Sequence, residues 1–242
     1  MNRPEIRLRY FDARGRAQFI RACLVARGIE FEDERVPLDE GFASWQAMRD
    51  DRARTGPFKR LPVLHYGDEL VPETTVIAQF LHRELGDEAA LDARDNRRHD
   101  VLLSICSSDL LVPIGMLLWA EMLMAGIDLP RFAHATLTRL SRTLGVIDEA
   151  LGEWNWVAGF RKRPVTFADC FLWDELDKQR VVFGSRFSLD GKPRLAAFYD
   201  EHPGRETFES LLAEHPCPLT GRPGEAAAIG NIQRFVADAE AA

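Results

Sequence analysis

Ile6, Leu8 and Tyr10 alternate with Arg7 and Arg9, the period of two that turns one face of a strand into a core. Tyr10 closes that inward face. From Arg16 to Arg27 the apolar residues Phe19, Ile20, Cys23 and Leu24 recur at helical spacing, and Gly28 stands where a helix would end. Ile29, Phe31 and the residues up to Val36 return to alternation before Pro37, which completes a predicted strand, helix, strand unit. The runs "LPVLHY" (61–66) and "ELV" (69–71) flank Gly67-Asp68, a hairpin signal, and a helix follows from about Thr74 to Leu85, stopped at Gly86. With a connecting stretch around Trp45, residues 1–85 read βαβ then ββα: a small α/β domain with a mixed sheet.

The periodicity then changes. Residues 86–95 read as a linker, and residues 96–242 as an all-helical domain, with Leu137, Leu140, Leu144, Ile147 and Leu151 marking one long helix. Thr166 with Asp169 three residues on, preceded by Val165, is a capping box with a hydrophobic staple, a device of folding. The stretch from Pro216 to Gly224 is rich in proline and glycine and reads as loop, before a last helix from Ala226 to Ala239. Leu110 to Ile127 is apolar but interrupted by Pro113, Gly115 and Glu121, which suits a buried core helix and not a membrane span. The N-terminus lacks the apolar run of a signal peptide.

The 242 residues are 46% hydrophobic, enough for one large core or two modest ones, and carry a net charge of −7. That field repels nucleic acid and anionic membranes, so neither is an expected partner. The first 28 residues are an exception, with seven arginines against Glu5 and Asp12. A local anion site fits the imbalance, while Arg3, Arg7 and Arg9 read as a solvated strand face, and Arg161-Lys162-Arg163 as a solvated loop. Cysteines 23, 106, 170 and 217 form no CxxC, so free thiols in a reducing compartment, the cytoplasm, are expected. Six histidines without paired spacing give no metal site.

Four places could carry chemistry. Pro62 either begins its strand or forms a cis bond that lets the Leu61 amide and carbonyl face an extended, peptide-like ligand. In "PETT" (72–75) Thr74 either caps the helix or, with the helix amide groups, receives a carboxylate. Tyr10, at a strand end beside Arg14 and Arg16, can donate a hydrogen bond to a thiolate. Leu102, Cys106, Asp109 and Pro113 share one helical face, so Asp109 sits either on an apolar stripe with a partner cation or on a solvated outer face. Phe11, Met116 and Trp119 are candidates for a hydrophobic pocket, although Met116, Leu117 and Trp119 also read as core.

"YFDARGR", "RLPVL", "ETTVIAQFL" and "VTFADCFLWDELD", in that order, resemble a cytosolic glutathione transferase of the tyrosine-using group (alpha, mu, pi and sigma classes) over nearly the whole chain. The resemblance implies a thioredoxin-like N-terminal domain that holds glutathione and a C-terminal helical bundle domain that supplies a hydrophobic-substrate pocket. It makes Tyr10 the catalytic tyrosine and Arg16 the arginine that supports the thiolate. Leu61 and Pro62, with Pro62 cis, match the clamp on the cysteinyl backbone; Glu73 and Thr74 match the γ-glutamyl site; Trp45 and Arg49 lie near the glycine carboxylate. Asp109 falls where the family places an aspartate reaching the neighbouring subunit's glutathione, and Phe58 resembles the aromatic key of a homodimer. Lys59 and Arg60 depart from the family pattern. The implied activity is conjugation of the glutathione thiolate to small hydrophobic electrophiles, a detoxifying reaction with glutathione as co-substrate and no further cofactor. A glutathione-dependent isomerase or peroxidase, or a non-catalytic ligand-binding protein on the same scaffold, is the alternative.

Overall fold

The computed structural model describes residues 4–156 and 163–238. Strand β1 (Ile6–Phe11), helix α1 (Gln18–Ala26) and strand β2 (Glu32–Val36) form the opening unit. Short helices α2 (Ala43–Met48) and α3 (Arg52–Thr55) lead to the hairpin β3 (Val63–Tyr66) and β4 (Glu69–Pro72), then to α4 (Thr74–Glu84). The sheet order is β2-β1-β3-β4, with β1 parallel to β2 and antiparallel to β3. Ile6, Leu8 and Tyr10 are buried, as the alternation requires. β2 begins at Glu32 and not at Ile29, because the Ile29 amide closes the end of α1 on the Leu24 carbonyl, where Gly28 takes a φ of 62°.

The outward face of β1 departs from expectation. Arg7 is partly solvated beside Glu32, but Arg9 is only 4% exposed: its guanidinium lies 2.6 Å from Glu34, donates to the Arg54 carbonyl and meets the His65 ring at 3.2 Å. The connection through α3 covers this part of the strand, so a charge there needs internal partners. Arg3 lies outside the described residues.

Beyond Pro72 the described residues are helical or loop. α5 (Asp87–Ala90) and the first turn of α6 (Ala93–Ile105) fall in the expected linker. A π-helical stretch, Cys106–Leu111, joins α6 to α7 (Val112–Leu123), and α8 (Leu129–Glu153), α9 (Phe167–Phe183), α10 (Pro193–Glu201), α11 (Arg205–Glu214) and α12 (Glu225–Asp238) follow. The continuous run Ala93–Leu123 is long and apolar enough to cross a membrane by length and composition. Its Leu102, Leu103, Cys106, Leu110, Ile114, Leu117 and Leu118 are instead buried in the protein core.

α9 runs through the centre and packs on α1, with Phe171 stacked on Phe19 at 3.9 Å between ring centroids. Burial of each such ring stabilises the contact by roughly 1.5–3 kcal/mol. The expected capping box is present, since Thr166 accepts from the Asp169 amide and Asp169 accepts from the Thr166 amide at 2.9 Å. Asp169 also accepts from Trp156 (2.7 Å) and Arg163 (2.6 Å). Arg163 is therefore buried over the Trp156 ring and is not the solvated residue its sequence neighbours suggested, while Arg161 and Lys162 lie outside the described residues.

His202, after α10, is buried and accepts from the Gly204 amide at 3.0 Å. Burial pushes its imidazole down to about 4, with Asp169 opposing and Arg163 reinforcing. Against an unfolded value of about 6.5, the unfolded chain binds more protons between these limits, so stability present above pH ~6.5 is lost as pH falls, by up to ~1.4 kcal/mol per unit. Urea denaturation across that window should give a shallower pH slope for His202→Asn than for the wild type. The difference isolates His202 from the Glu175 carboxyl, which burial pushes up and which acts with opposite sign. Parallel curves would contradict this assignment.

Candidate active site

β1 delivers Tyr10 into a sharp turn whose shape is set by Gly15. Gly15 has a φ of 38°, and a Cβ there would lie 2.2 Å from the Tyr10 hydroxyl oxygen. Only glycine fits both the backbone and the ring. The Tyr10 hydroxyl accepts a hydrogen bond from the Arg16 amide at 3.1 Å, and its ring packs edge-on to Phe11 with Arg21 above it. The turn is gripped from two distant parts of the chain. Arg14 and Gly15 donate their amides to the carbonyls of Pro218 and Leu219, each at 2.8 Å, and Lys178 of α9 donates to the Gly15 carbonyl at 2.7 Å.

Three of the seven N-terminal arginines, Arg9, Arg14 and Arg21, are buried inside the fold. Arg14 is buried between Asp174 (2.8 Å) and Asp177 (2.9 Å), and Arg21 between Asp33 and the carbonyls of Ala13 and Phe11. Burial lowers the Arg14 guanidinium, but the two aspartates outweigh it and hold the group well above the usual arginine range. Arg14 is thus an interior anchor and not part of an anion site beside Tyr10. Arg16 is exposed and is the arginine of this turn that faces the cavities.

Two cavities meet at Arg16. The larger, about 790 Å³, is lined by Tyr10, Phe11, Arg16, Trp45, Arg49, Met116 and Trp119 among others. Met116 and Trp119 are half exposed, whereas Leu117 is fully buried, so the apolar stripe of α7 divides between cavity and core. The smaller, about 160 Å³, is lined by Arg16, Phe58, Arg60, Leu61, Pro62, Pro72, Glu73 and Thr74. The Leu61–Pro62 peptide is cis. Thr74 does not cap α4: it is the first helical residue and is buried, while Glu73 takes the cap position at φ 73°, ψ 126° without a capping side-chain bond. A non-glycine residue held in that region costs about 1–3 kcal/mol, and the helix amide groups are left facing the smaller cavity.

Asp109 lines neither cavity. Its side chain is 41% exposed, accepts from the Ser108 hydroxyl at 2.6 Å and lies 3.4 Å from Arg139 of its own chain. The apolar stripe runs through Leu102, Cys106, Leu110 and Ile114, because the π-helical turn delays the face by part of a residue at each step and turns Asp109 outward. A third groove, about 860 Å³, between α8 and Phe235 of α12, shares no lining residue with the two cavities.

Several wall residues carry no signal in the sequence. Arg222 lies 4.1 Å over the Trp119 ring and 6.0 Å from that of Phe42, and Thr220 and Lys178 complete the large cavity. The run 216–224 reads as loop by composition, and only its docking on the Tyr10 turn shows that it closes the site. Among the described residues, no group of three or more His, Cys, Asp or Glu is placed to hold a metal ion.

The family model of the glutathione S-transferase N-terminal domain matches residues 6–83. The chain is similar to the hematopoietic prostaglandin D synthase of Gallus gallus, 28% identical over 213 residues that span 88% of this chain and 98% of that protein. It is also similar to the class-mu 28 kDa glutathione S-transferase isozyme of Schistosoma japonicum, 38% identical over 90 residues, 34% of this chain and 40% of that one. A solved structure of a monomeric glutathione S-transferase from Necator americanus shares the fold, with a TM-score of 0.69 at 23% identity over 88% of this chain and 98% of that one.

Gly15→Ala should cost about 2–4 kcal/mol, the sum of left-handed strain and a clash with a packed ring. Gly126→Ala, at φ 83° with nothing within 4 Å, carries the strain alone. Chemical denaturation of the two variants should show the larger loss at Gly15; equal losses would mean that Tyr10 yields freely.

Proposed function

The chain belongs to the glutathione S-transferase family, and from that premise we propose that it conjugates glutathione, through its thiolate, to small hydrophobic electrophiles bound in the larger cavity. The observation that carries this reading is the Tyr10 hydroxyl, held at the end of β1 by the Arg16 amide beside two adjoining cavities. Glutathione lies along the smaller one: its cysteinyl backbone pairs with the amide and carbonyl of Leu61 beside cis-Pro62, and its γ-glutamyl end rests on Glu73 and the Thr74 end of α4. Trp45 and Arg49 receive the glycine carboxylate. The electrophile rests against Phe11, Met116 and Trp119.

The protein's chemical task is to depress a thiol pKa, since the thiolate is the nucleophile. Lowering it from about 8.5 to about 6.5 requires ~2.7 kcal/mol, and a hydrogen bond to a charged acceptor contributes ~1.5–3 kcal/mol. Tyr10 supplies most of that as donor. Arg16 and the amino end of α1 add roughly 0.3–2 kcal/mol between them. Glutathione acts as co-substrate, with no further cofactor.

The same reading makes the protein a detoxifying enzyme of the cytoplasm, in keeping with four cysteines that are all free thiols. It also makes it a homodimer. Phe58, 60% exposed beside the smaller cavity, is the key that enters the partner, and Asp109, turned outward, reaches the partner's glutathione. Sedimentation at micromolar concentration should give a dimer, and a monomer would remove Asp109 from the site.

Tyr10→Phe tests the chemistry. It deletes one hydroxyl and leaves the peptide clamp, so glutathione affinity should hold. Loss of ~1.5–3 kcal/mol of thiolate stabilisation should raise the bound thiol's titration midpoint by roughly one to two units and slow conjugation of an aryl halide about ten- to a hundredfold near neutral pH. Thiolate absorbance against pH reads the shift. An unmoved titration would assign the sulfur to another donor.

A further inference from the structure

The peptide between Gly15 and Arg16 is bonded on both sides. Its carbonyl accepts from the Lys178 ammonium at 2.7 Å, and its N–H donates to the Tyr10 hydroxyl oxygen at 3.1 Å. We propose that Lys178 is a positioning residue for the transfer reaction, acting on Tyr10 through this single peptide. A charge-assisted bond at the carbonyl draws electron density toward that oxygen and makes the amide hydrogen of the same group a stronger donor. The hydroxyl oxygen that receives it is depleted in turn, and its own hydrogen becomes a better donor to sulfur. The chain runs ammonium, carbonyl, amide, phenol, thiolate. The proposal rests on the reading of Tyr10 as the thiolate's donor.

The surroundings of Lys178 favour this role over direct contact with substrate. An ammonium has three protons, and this one has three oxygen neighbours at 2.7 Å: Asp174, Glu175 and the Gly15 carbonyl. Although Lys178 borders the larger cavity, it is buried, with its donors directed into the protein. Burial would lower its pKa, but Asp174 and Glu175 outweigh that and keep it charged. The other charged groups around it are Arg14, held by Asp174 and Asp177, and Arg180 on the far side of Asp177, while the buried Cys106 thiol, pushed up by burial and by Glu175, stays neutral. Arg14 already ties the turn to α9 through Asp174 and Asp177, so a second tie, from the Lys178 cation to a carbonyl, is not needed for that attachment.

Lys178→Met removes the charge and keeps the length, and Lys178→Arg keeps the charge. In the glutathione complex, Lys178→Met should leave glutathione affinity within about threefold and raise the thiol's titration midpoint by about half a unit to one unit, slowing conjugation near neutral pH about three- to tenfold. Lys178→Arg should keep the midpoint close to the wild-type value. If the buried acids left behind prevent folding, Glu175→Gln combined with Lys178→Met removes one of them and carries the same expectation. On a Tyr10→Phe background, Lys178→Met should produce no further shift; an equal shift there would mean that the charge acts without Tyr10 and would overturn the proposal, as would an unmoved midpoint in the single variant. The NMR signal of the Arg16 amide proton tests the route without glutathione and should move upfield in ligand-free Lys178→Met. A wild-type complex without thiolate would refute the reading of Tyr10, whereas an amide signal unchanged by Lys178→Met would refute the route alone.

Discussion

Arg14, buried between Asp174 and Asp177, is the fixed point from which the rest of the site is measured. It stands four residues after Tyr10 in the sequence, and its two partners stand one helical turn apart on α9. A guanidinium placed so cannot slide along the helix without losing one carboxylate, and breaking such a buried pair costs about 3–5 kcal/mol because a charge is left without a partner. The pairing gives one register between the α/β half and the helical half. Stacking of Phe19 on Phe171 holds the same two helices together, but apolar contact alone tolerates sliding that the ion pairs do not.

Around that fixed point three stretches remote in sequence converge on one turn. Residues 10–16 supply the hydroxyl, Lys178 reaches the Gly15 carbonyl, and Pro218 and Leu219 accept the amides of Arg14 and Gly15. The loop that follows, through Thr220 and Arg222, then forms the wall opposite Phe11 and Trp45. The stretch 218–222 is therefore joined to the Tyr10 turn by backbone bonds while it also lines the larger cavity. The smaller cavity shares only Arg16 with the lining of the larger one, so the two are supported by different parts of the chain.

What was legible in the sequence is what local periodicity and local chemistry control. The alternation of Ile6, Leu8 and Tyr10, the hairpin at Gly67, the end of α1 at Gly28 and the capping box at Thr166 each depend on residues a few positions apart. Burial of charge was not legible, because it depends on partners far along the chain. Arg9, Arg14 and Arg163 look like ordinary surface arginines until Glu34, Asp174 with Asp177, and Asp169 are brought to them. Asp109 stayed open between an apolar stripe and a solvated face for another reason: the 3.6-residue period does not hold across a stretch that winds more slowly, and the structure places it on the solvated face. The cap at Glu73 eluded the sequence because a side chain at positive φ is not what threonine next to a helix suggests.

That slower winding ties the lining of the larger cavity to the pitch of one stretch of helix. Cys106–Leu111 is wound as a π-helix, with more residues per turn than α6 before it or α7 after it. The residues after it therefore face other directions than an unbroken α-helix continued from α6 would give them. Met116 and Trp119 line the larger cavity in that setting, while Leu117 between them is buried. The winding of one turn thus selects which side chains of α7 meet the larger cavity, several at once, in a way that no point substitution on α7 reproduces, and it does so without involving the sheet or the Tyr10 turn.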